Sequence, residues 1–436
     1  MGDTLRIGLA GLGTVGVGVL RLLETNRELL TARAGTLLQV TAVSARNRSV
    51  DRGVDLSRFA WEDDPVALAA RDDVDVVVEL IGGSDGPALA LADAALSNGK
   101  AVVTANKAMI AHHGLALATS AEARGVALKF EAAVAGGIPV VKGLREGTSA
   151  NELASIYGIL NGTCNYILST MEDTGADFAD VLAEAQAKGY AEADPTFDIE
   201  GVDAAHKLAI LAAIGFGAEL DFDAVRVTGI TRVGAADIAQ ADTLGFVIRL
   251  IAQADVEHTS SGDRLLQRVR PCLVSKAHPL SGVDGPTNAV VAEGNFSGRL
   301  LFQGAGAGEG PTASAVVADL IDIARDEVGA PFSIPVANLS LMPPAESGER
   351  MERTYLRFTV TDRPGVLAEI TAAMRDAGVS IESLIQTGRA GDGGGDVLVA
   401  MVTHEGPERC VREAIDLLEG SESLTAPPLV LPILPD

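Results

Sequence analysis

The chain has 436 residues, 47% hydrophobic and 21% charged, with a mean hydropathy of +0.25, which excludes a disordered chain and suggests roughly three domains with large cores. A formal charge of −25 and a pI of about 4.6 exclude a general role on nucleic acid or on an anionic membrane, so an anionic ligand needs a local positive pocket. Cys164, Cys272 and Cys410 lie too far apart for a disulfide framework or a zinc pattern, and the longest apolar run, Leu208 to Ala218, is too short for a bilayer, so a cytoplasmic protein is expected.

Leu5 to Leu9 reads as a strand, not a signal peptide. It leads into Gly11-Leu12-Gly13-Thr14-Val15-Gly16 and then a helix. Gly11 permits the tight turn, Gly13 lets backbone approach a pyrophosphate, and Gly16 lets helix and strand pack closely; the helix N-terminus offers free amides. A ligand-free glycine turn is the alternative, but a strand before and a helix after favour a dinucleotide. The second strand, Leu38 to Val43, ends without the acid that an NAD site uses for its ribose hydroxyls. Arg46 and Arg48 stand there instead, suited to a 2′-phosphate, so NADP is expected, with Arg46 the better candidate.

Val74 to Ile81 is a near-continuous apolar run, as in a strand covered on both faces, and ends in the loop Gly82-Gly83-Ser84, a candidate to lie beneath a nicotinamide. A helix over Pro87 to Ser97 precedes a strand over Lys100 to Ala105, then Asn106-Lys107. A lysine there is either a surface residue or a ligand at the carboxyl end of an open sheet. After a helix around Leu115 to Arg124 and a strand from Val126 to Phe130, the glycine-rich turn EAAVAGGIP exposes carbonyls that suit a hard cation or simply turn the chain. Leu153 to Leu160 reads as another strand, running into Asn161-Gly162-Thr163-Cys164 and a helix.

The stretch Ala185 to Lys207 concentrates Glu192, Asp194, Asp198, Glu200, Asp203 and Lys207 immediately before an apolar helix. Asp203 and Lys207 are one turn apart and share a face. They are a surface ion pair, or a proton-transferring lysine with its partner at the edge of a buried segment. His206 lies about 100° around the helix from Lys207 and is the poorer acid–base candidate.

Ala185, Gly189, Tyr190, Ala191, Asp194-Pro195, Asp198, Ile199, Gly201, Asp203 and Lys207 together resemble the homoserine dehydrogenase signature. The resemblance implies reversible reduction of L-aspartate 4-semialdehyde by NADPH, in threonine and methionine biosynthesis. Lys207 would be the proton donor and acceptor, with Asp203 orienting it and Glu192, assisted by Asp198, holding the α-ammonium. It also implies an active-site role for Lys107 in the TANK context, in carboxylate binding, proton transfer or cofactor contact. Gly189 would touch the cofactor, and the segment Asn161-Gly162-Thr163 with Asn165 to Leu168, which also resembles the family, would lie near the active site. Backbone oxygens of Glu131, Val134, Gly136 and Ile138 would hold a sodium ion.

Strands recur to about residue 305 and suggest a mixed sheet whose free face is a dimer surface. The glycine run Gln303 to Gly310, Gly308 included, suits a loop over the cofactor. The helix Thr312 to Val328 is expected to return to the dinucleotide-binding sheet. Beyond the proline-rich stretch from Pro331 to Arg350, a βαββαβ order suggests a ferredoxin-like unit, with a turn over Ala390 to Gly395. Asp362-Arg363-Pro364-Gly365-Val366-Leu367 resembles the first turn of ACT domains, which implies threonine as effector; a dimerisation module without ligand is the alternative.

The expected class is α/β: a Rossmann-type domain over 1–135 completed by 311–340, an α+β catalytic and dimerisation domain over 136–310, a linker over 341–352 and an ACT domain over 353–436. A homo-oligomer, dimer or tetramer, is expected. Two other readings are an aspartate-semialdehyde dehydrogenase acting through Cys164, and a nucleotide-responsive binding protein without catalysis.

Overall fold

The computed structural model describes residues 4–346, 348–387 and 397–435, so the turn expected over Ala390 to Gly395 lies outside the described residues. Strands β1 (Leu5–Ala10), β2 (Leu38–Ser44), β3 (Ala60–Glu62), β4 (Val76–Glu79), β5 (Ala101–Thr104) and β6 (Leu128–Lys129) form one parallel sheet in the order β3-β2-β1-β4-β5-β6. Right-handed crossovers place helices on both faces of such a sheet. That is why β4 and β5 are buried along their whole length and read as unbroken apolar runs. β3, short and only half-buried, gave no such run and was not expected.

The helix Lys107–Arg124 starts earlier than its apolar pattern suggests, because the Asn106 side chain accepts from Met109 N (3.1 Å) and caps it. The returning helix is Glu309–Ala324, shifted toward the glycine run. Its Ala313, Val316, Val317 and Leu320 share a core with Ile7, Leu9, Val19 and Val78 of the first sheet region. The contact is close: a Cβ on Gly18 would sit 2.7 Å from Glu309 Cγ.

β7 (Leu153–Ile159), β8 (Arg226–Val227), β9 (Phe246–Thr259), β10 (Gly262–Ser275), β11 (Thr287–Gly294) and β12 (Gly298–Ala305) form the second sheet, in the order β12-β11-β7-β9-β10-β8. It is mixed through one parallel pair, β10 with β8. The apolar helix Val202–Phe216, buried from Asp203 to Ile214, packs on β7, β9 and β10.

A short pair, β13 (Met351–Glu352) with β17 (Gly406–Pro407), leads into the last sheet. There β14 (Thr354–Val360), β15 (Ile381–Thr387), β16 (Val397–Thr403) and β18 (Leu424–Pro432) are antiparallel in the order β15-β16-β14-β18. The helices Val366–Asp376 and Glu408–Asp416 cover one face of it. Among the described residues no helix is long and apolar enough to cross a membrane.

Candidate active site

The carboxyl end of β1, where strand order reverses, is where an open parallel sheet receives a ligand. Gly11 sits at φ +96°, and a Cβ there would meet Leu80 O at 2.3 Å. A Cβ on Gly16 would come 2.0 Å from Gly11 O, whereas one on Gly13 would meet nothing within 4 Å. The helix Thr14–Thr25 begins without a side-chain cap, leaving its first amides free for an anion. These residues therefore fit a pyrophosphate.

Leu12 is buried, and its carbonyl accepts from Arg52 Nε at 3.0 Å. Arg52 also donates to Asn47 O at 2.7 Å, so it ties this turn to the loop after β2. In that loop Arg46 is exposed and pairs with no carboxylate among the described residues, while Arg48 lies over the Trp61 ring at 5.5 Å.

A cavity of about 1070 Å³ runs from Val15 at this turn to the start of the helix Val202–Phe216. Its wall includes Lys107, Asp198, Asp203 and Lys207, together with Gly136, Gly189 and Gly308. Distant segments thus meet in one place. Gly11 to Thr14, Gly16, Arg46, Glu192, Glu131, Val134 and Ile138 are not part of that wall.

Asp203 is the hub. Its Oδ2 accepts from Lys207 Nζ (2.8 Å) and from Asn161 Nδ2 (2.8 Å), and its Oδ1 lies 3.1 Å from Lys107 Nζ. Burial alone would push the Asp203 carboxyl up, but Lys207 and Lys107 outweigh it and hold the group well below the usual carboxylate range. Lys207 Nζ also donates to Leu160 O at 2.7 Å. An ammonium has three N–H bonds, so one remains for the cavity that Lys207 lines. Burial pushes Asp198 above its ordinary value although Asn161 donates to it at 2.8 Å.

Asn161, whose segment the resemblance puts near the active site without a role of its own, lines the cavity. Its Oδ1 accepts from Cys164 N (2.7 Å), capping the helix Gly162–Thr174, and its Nδ2 clamps both acids. Asparagine before a helix was a visible signal for the cap. The clamp depends on residues about forty positions away and had no local signal.

Glu192 is exposed and off the cavity wall. Its segment is held from behind, since Gln186 Nε2 donates to Glu192 O (3.0 Å) and Tyr190 N to Ala185 O (2.9 Å). The loop Gly82-Gly83 also stays off the wall, because Glu79 accepts from Gly82 N (3.1 Å) and Asn106 Nδ2 donates to Gly83 O (2.6 Å). Cys164 is fully buried with its Sγ on Asp198 O (3.1 Å), and burial pushes the thiol well up, which disfavours it as a nucleophile.

Burial, with help from His112, pushes the His206 imidazole down to about 4 from 6.5. It stacks on Phe222 with 4.3 Å between centroids and has its Nε2 3.3 Å from His112 Nε2. Folded, this ring stays neutral where the unfolded chain would charge it, so stability falls as pH drops from about 6.5 to about 4. His206→Phe is expected to remove that part of the slope. Thermal midpoints that keep the wild-type slope across this range would contradict the assignment.

Glu131 Oε1 and Oε2 accept from Val141 N (3.0 Å) and Lys142 N (2.8 Å), and Glu131 N donates to Asp319 Oδ2 (2.9 Å). Burial pushes the carboxyl of Glu131 up to about 7 and that of Asp319 up to about 6. Among the described residues no group of three or more His, Cys, Asp or Glu side chains is arranged to hold a metal.

Comparison with known proteins matches residues 11–131 to the family model "Homoserine dehydrogenase, NAD binding domain", 139–321 to "Homoserine dehydrogenase" and 354–416 to the ACT domain. A homoserine dehydrogenase of Pseudomonas aeruginosa is 45% identical over 432 residues, 97% of each chain. One of Neisseria gonorrhoeae is 43% identical over 430 residues, again 97% of each. A solved homoserine dehydrogenase from Thiobacillus denitrificans superposes with a TM-score of 0.91 at 40% identity, covering 99% of this chain and 98% of that one. A hyperthermophilic archaeal homoserine dehydrogenase, solved in complex with NADPH, gives a TM-score of 0.63 at 25% identity over 78% of this chain and 100% of its own.

Proposed function

This chain belongs to the homoserine dehydrogenases, NAD(P)-dependent oxidoreductases acting on a CH–OH group, and on that premise we propose that it interconverts L-aspartate 4-semialdehyde and L-homoserine with NADPH, in threonine and methionine biosynthesis. One observation carries the reading: a buried ammonium, Lys207, keeps one N–H for a cavity that begins at the glycine turn.

Bound NADPH supplies the hydride. As negative charge develops on the aldehyde oxygen, the Lys207 ammonium stabilises it and donates a proton, and in reverse the neutral amine removes one. Asp203, with Asn161, fixes the direction of that ammonium. Lys107, whose side chain is 32% exposed against 10% for Lys207, takes the substrate carboxylate. Asp198 accepts the α-ammonium, and Glu192 joins it only if the turn over 189–195 moves. Gly11 to Gly16 hold the pyrophosphate, with Gly189 and Gly308 closing on the cofactor and Lys107 beside it.

Arg46 takes the 2′-phosphate, which selects NADPH over NADH. Arg46→Ala should raise the KM for NADPH by about tenfold or more and leave that for NADH unchanged. Unaltered NADPH affinity would refute the assignment.

A sodium ion on the carbonyls of Glu131, Val134, Gly136 and Ile138 is part of the proposal. Ala135 and Gly136 turn the chain there at φ 54° and 50°. The Val134 and Gly136 carbonyls receive no backbone N–H among the described residues, and a buried carbonyl needs a partner. The proposal also includes the domain division by residue ranges given above, assembly into a dimer or tetramer, a cytoplasmic location, and feedback by threonine at the turn Asp362 to Leu367.

The test is NADPH oxidation with aspartate 4-semialdehyde, with and without threonine. Turnover that survives thiol alkylation and needs no phosphate is expected. No oxidation would sink the enzymatic reading, and indifference to threonine would remove the effector.

A further inference from the structure

The face of the last sheet that its own helices leave open is buried against the catalytic region. Tyr355, Ala400, Val402, Leu429 and Leu431 belong to the same core as Ile230, Val233 and Ile238. At the centre of this junction is Asp237, 1% exposed. Its Oδ1 accepts from Tyr355 OH (3.1 Å) and Arg357 Nε (2.9 Å), and its Oδ2 from Gly234 N (2.9 Å). Arg232 donates to Pro427 O (3.1 Å) and Pro428 O (2.7 Å) of β18. A buried carboxylate with this many donors fixes one geometry, since losing any partner leaves a charge unsatisfied.

From Gly234 the chain runs back to the cavity as a strap over residues 226–234. Ile230, fully buried, donates its N–H to Ile199 O at 2.9 Å, and Thr228 N donates to Val269 O at 2.7 Å. The strap lies so close that a Cβ on Gly229 would come 2.4 Å from Ile199 O and 2.7 Å from Glu200 Cα. Ile199 to Gly201 is the turn between Asp198 and the helix that carries Asp203 and Lys207. Gly201, at φ +86°, is pressed between strap and sheet: a Cβ there would meet Val227 Cγ1 at 3.0 Å and Val269 Cγ1 at 3.1 Å. One unbroken set of hydrogen bonds and tight packing therefore joins the open face of the last sheet to both acids of the cavity.

We propose that Asp237, held by Tyr355 and Arg357, is a positioning residue that sets the substrate turn through the strap over residues 226–234. The inference rests on the reading of the cavity as the place where semialdehyde binds. Docking of the last sheet then governs how Asp198 meets the substrate, while the cofactor turn at Gly11 to Gly16, which the strap does not touch, is unaffected.

The test measures the KM for aspartate semialdehyde, the NADPH Kd from nicotinamide fluorescence, and the thermal midpoint in the full-length protein. Asp237→Asn, Arg357→Met and Gly229→Ala should each raise the KM about 5- to 20-fold while the NADPH Kd stays within about twofold. Arg357→Met leaves Asp237 in place and keeps the test open if Asp237→Asn fails to fold, whereas Gly229→Ala, which reaches the turn without touching the last sheet, reads the strap alone. Arg357→Lys should recover part of the loss. Arg353→Ala, which breaks an exposed pair with Glu382 away from the strap, should leave the KM unchanged. Wild-type KM in Asp237→Asn and Arg357→Met overturns the inference whatever Gly229→Ala does, as does a loss of NADPH binding in step with the thermal midpoint. Lys207→Ala, assayed alongside, reads the site assignment separately: normal turnover there, with a raised KM in Asp237→Asn and Arg357→Met, removes Lys207 and leaves the positioning role of Asp237 standing.

Discussion

Lys207→Ala is expected to lower turnover by about 10²- to 10⁴-fold while NADPH binds as before. The asymmetry follows from where the group sits. Lys207 lies at the end of the cavity away from Val15, bonded to Leu160 O and Asp203, and the glycine turn Gly11 to Gly16 is built from other elements. In the proposed reaction, removing the ammonium takes away both the proton and the positive charge that meets the developing alkoxide. Alanine also leaves a void beside Asp203, so Lys207→Met serves as the better-packed companion. Both variants should lose turnover alike, because neither carries a proton. Steady-state kinetics with a fluorescence titration of NADPH decides the matter, and turnover near wild type in either variant would take Lys207 out of the mechanism.

Asp203→Asn should cost both stability and activity. The carboxylate bonds or pairs with Lys207, Lys107 and Asn161 while only 6% exposed. The amide keeps the shape and loses the charge that two ammonium groups share. Breaking one side of a buried pair costs about 3–5 kcal/mol, because the remaining charge is left without compensation. Turnover should drop about 10²-fold as Lys207 loses its fixed direction. The pH dependence has a definite sign. Asp203 is held below its unfolded value of 3.8, so its contribution is complete above that value and is lost as pH falls below it. The gap in stability between wild type and Asp203→Asn should therefore be full at neutral pH and shrink in acid. Urea unfolding near neutrality that shows no difference between the two would contradict the hub role.

Local rules made much of this molecule readable. The turn Gly11 to Gly16 declared itself because each glycine answers a separate steric demand, and two of the three demands are met by backbone within 2.3 Å of a Cβ. The helix from Val202 was equally plain, since an apolar run after a left-handed glycine has few alternatives. The pairing of Asp203 with Lys207 followed from helical spacing.

What escaped was decided by contacts distant in sequence. Nothing near Lys107 indicates that it shares Asp203, and nothing near Asn161 indicates that it clamps two acids. The apolar pattern places the helix from Lys107 too late because its first turns lack a strong apolar stripe, whereas the Asn106 cap sets its start. Glu192 illustrates the converse: a residue in the middle of a dense signature can sit outside the cavity when the backbone turns behind it. The burial of the last sheet against Asp237 is likewise invisible in the composition of either segment.

The most direct test of the account is chemical rescue of Lys207→Ala by small primary amines. An added ammonium entering the vacated space should restore aspartate semialdehyde reduction in proportion to its concentration, with a rate that follows the amine's own acidity. Turnover indifferent to amine size, acidity and concentration would show that no proton passes through that position.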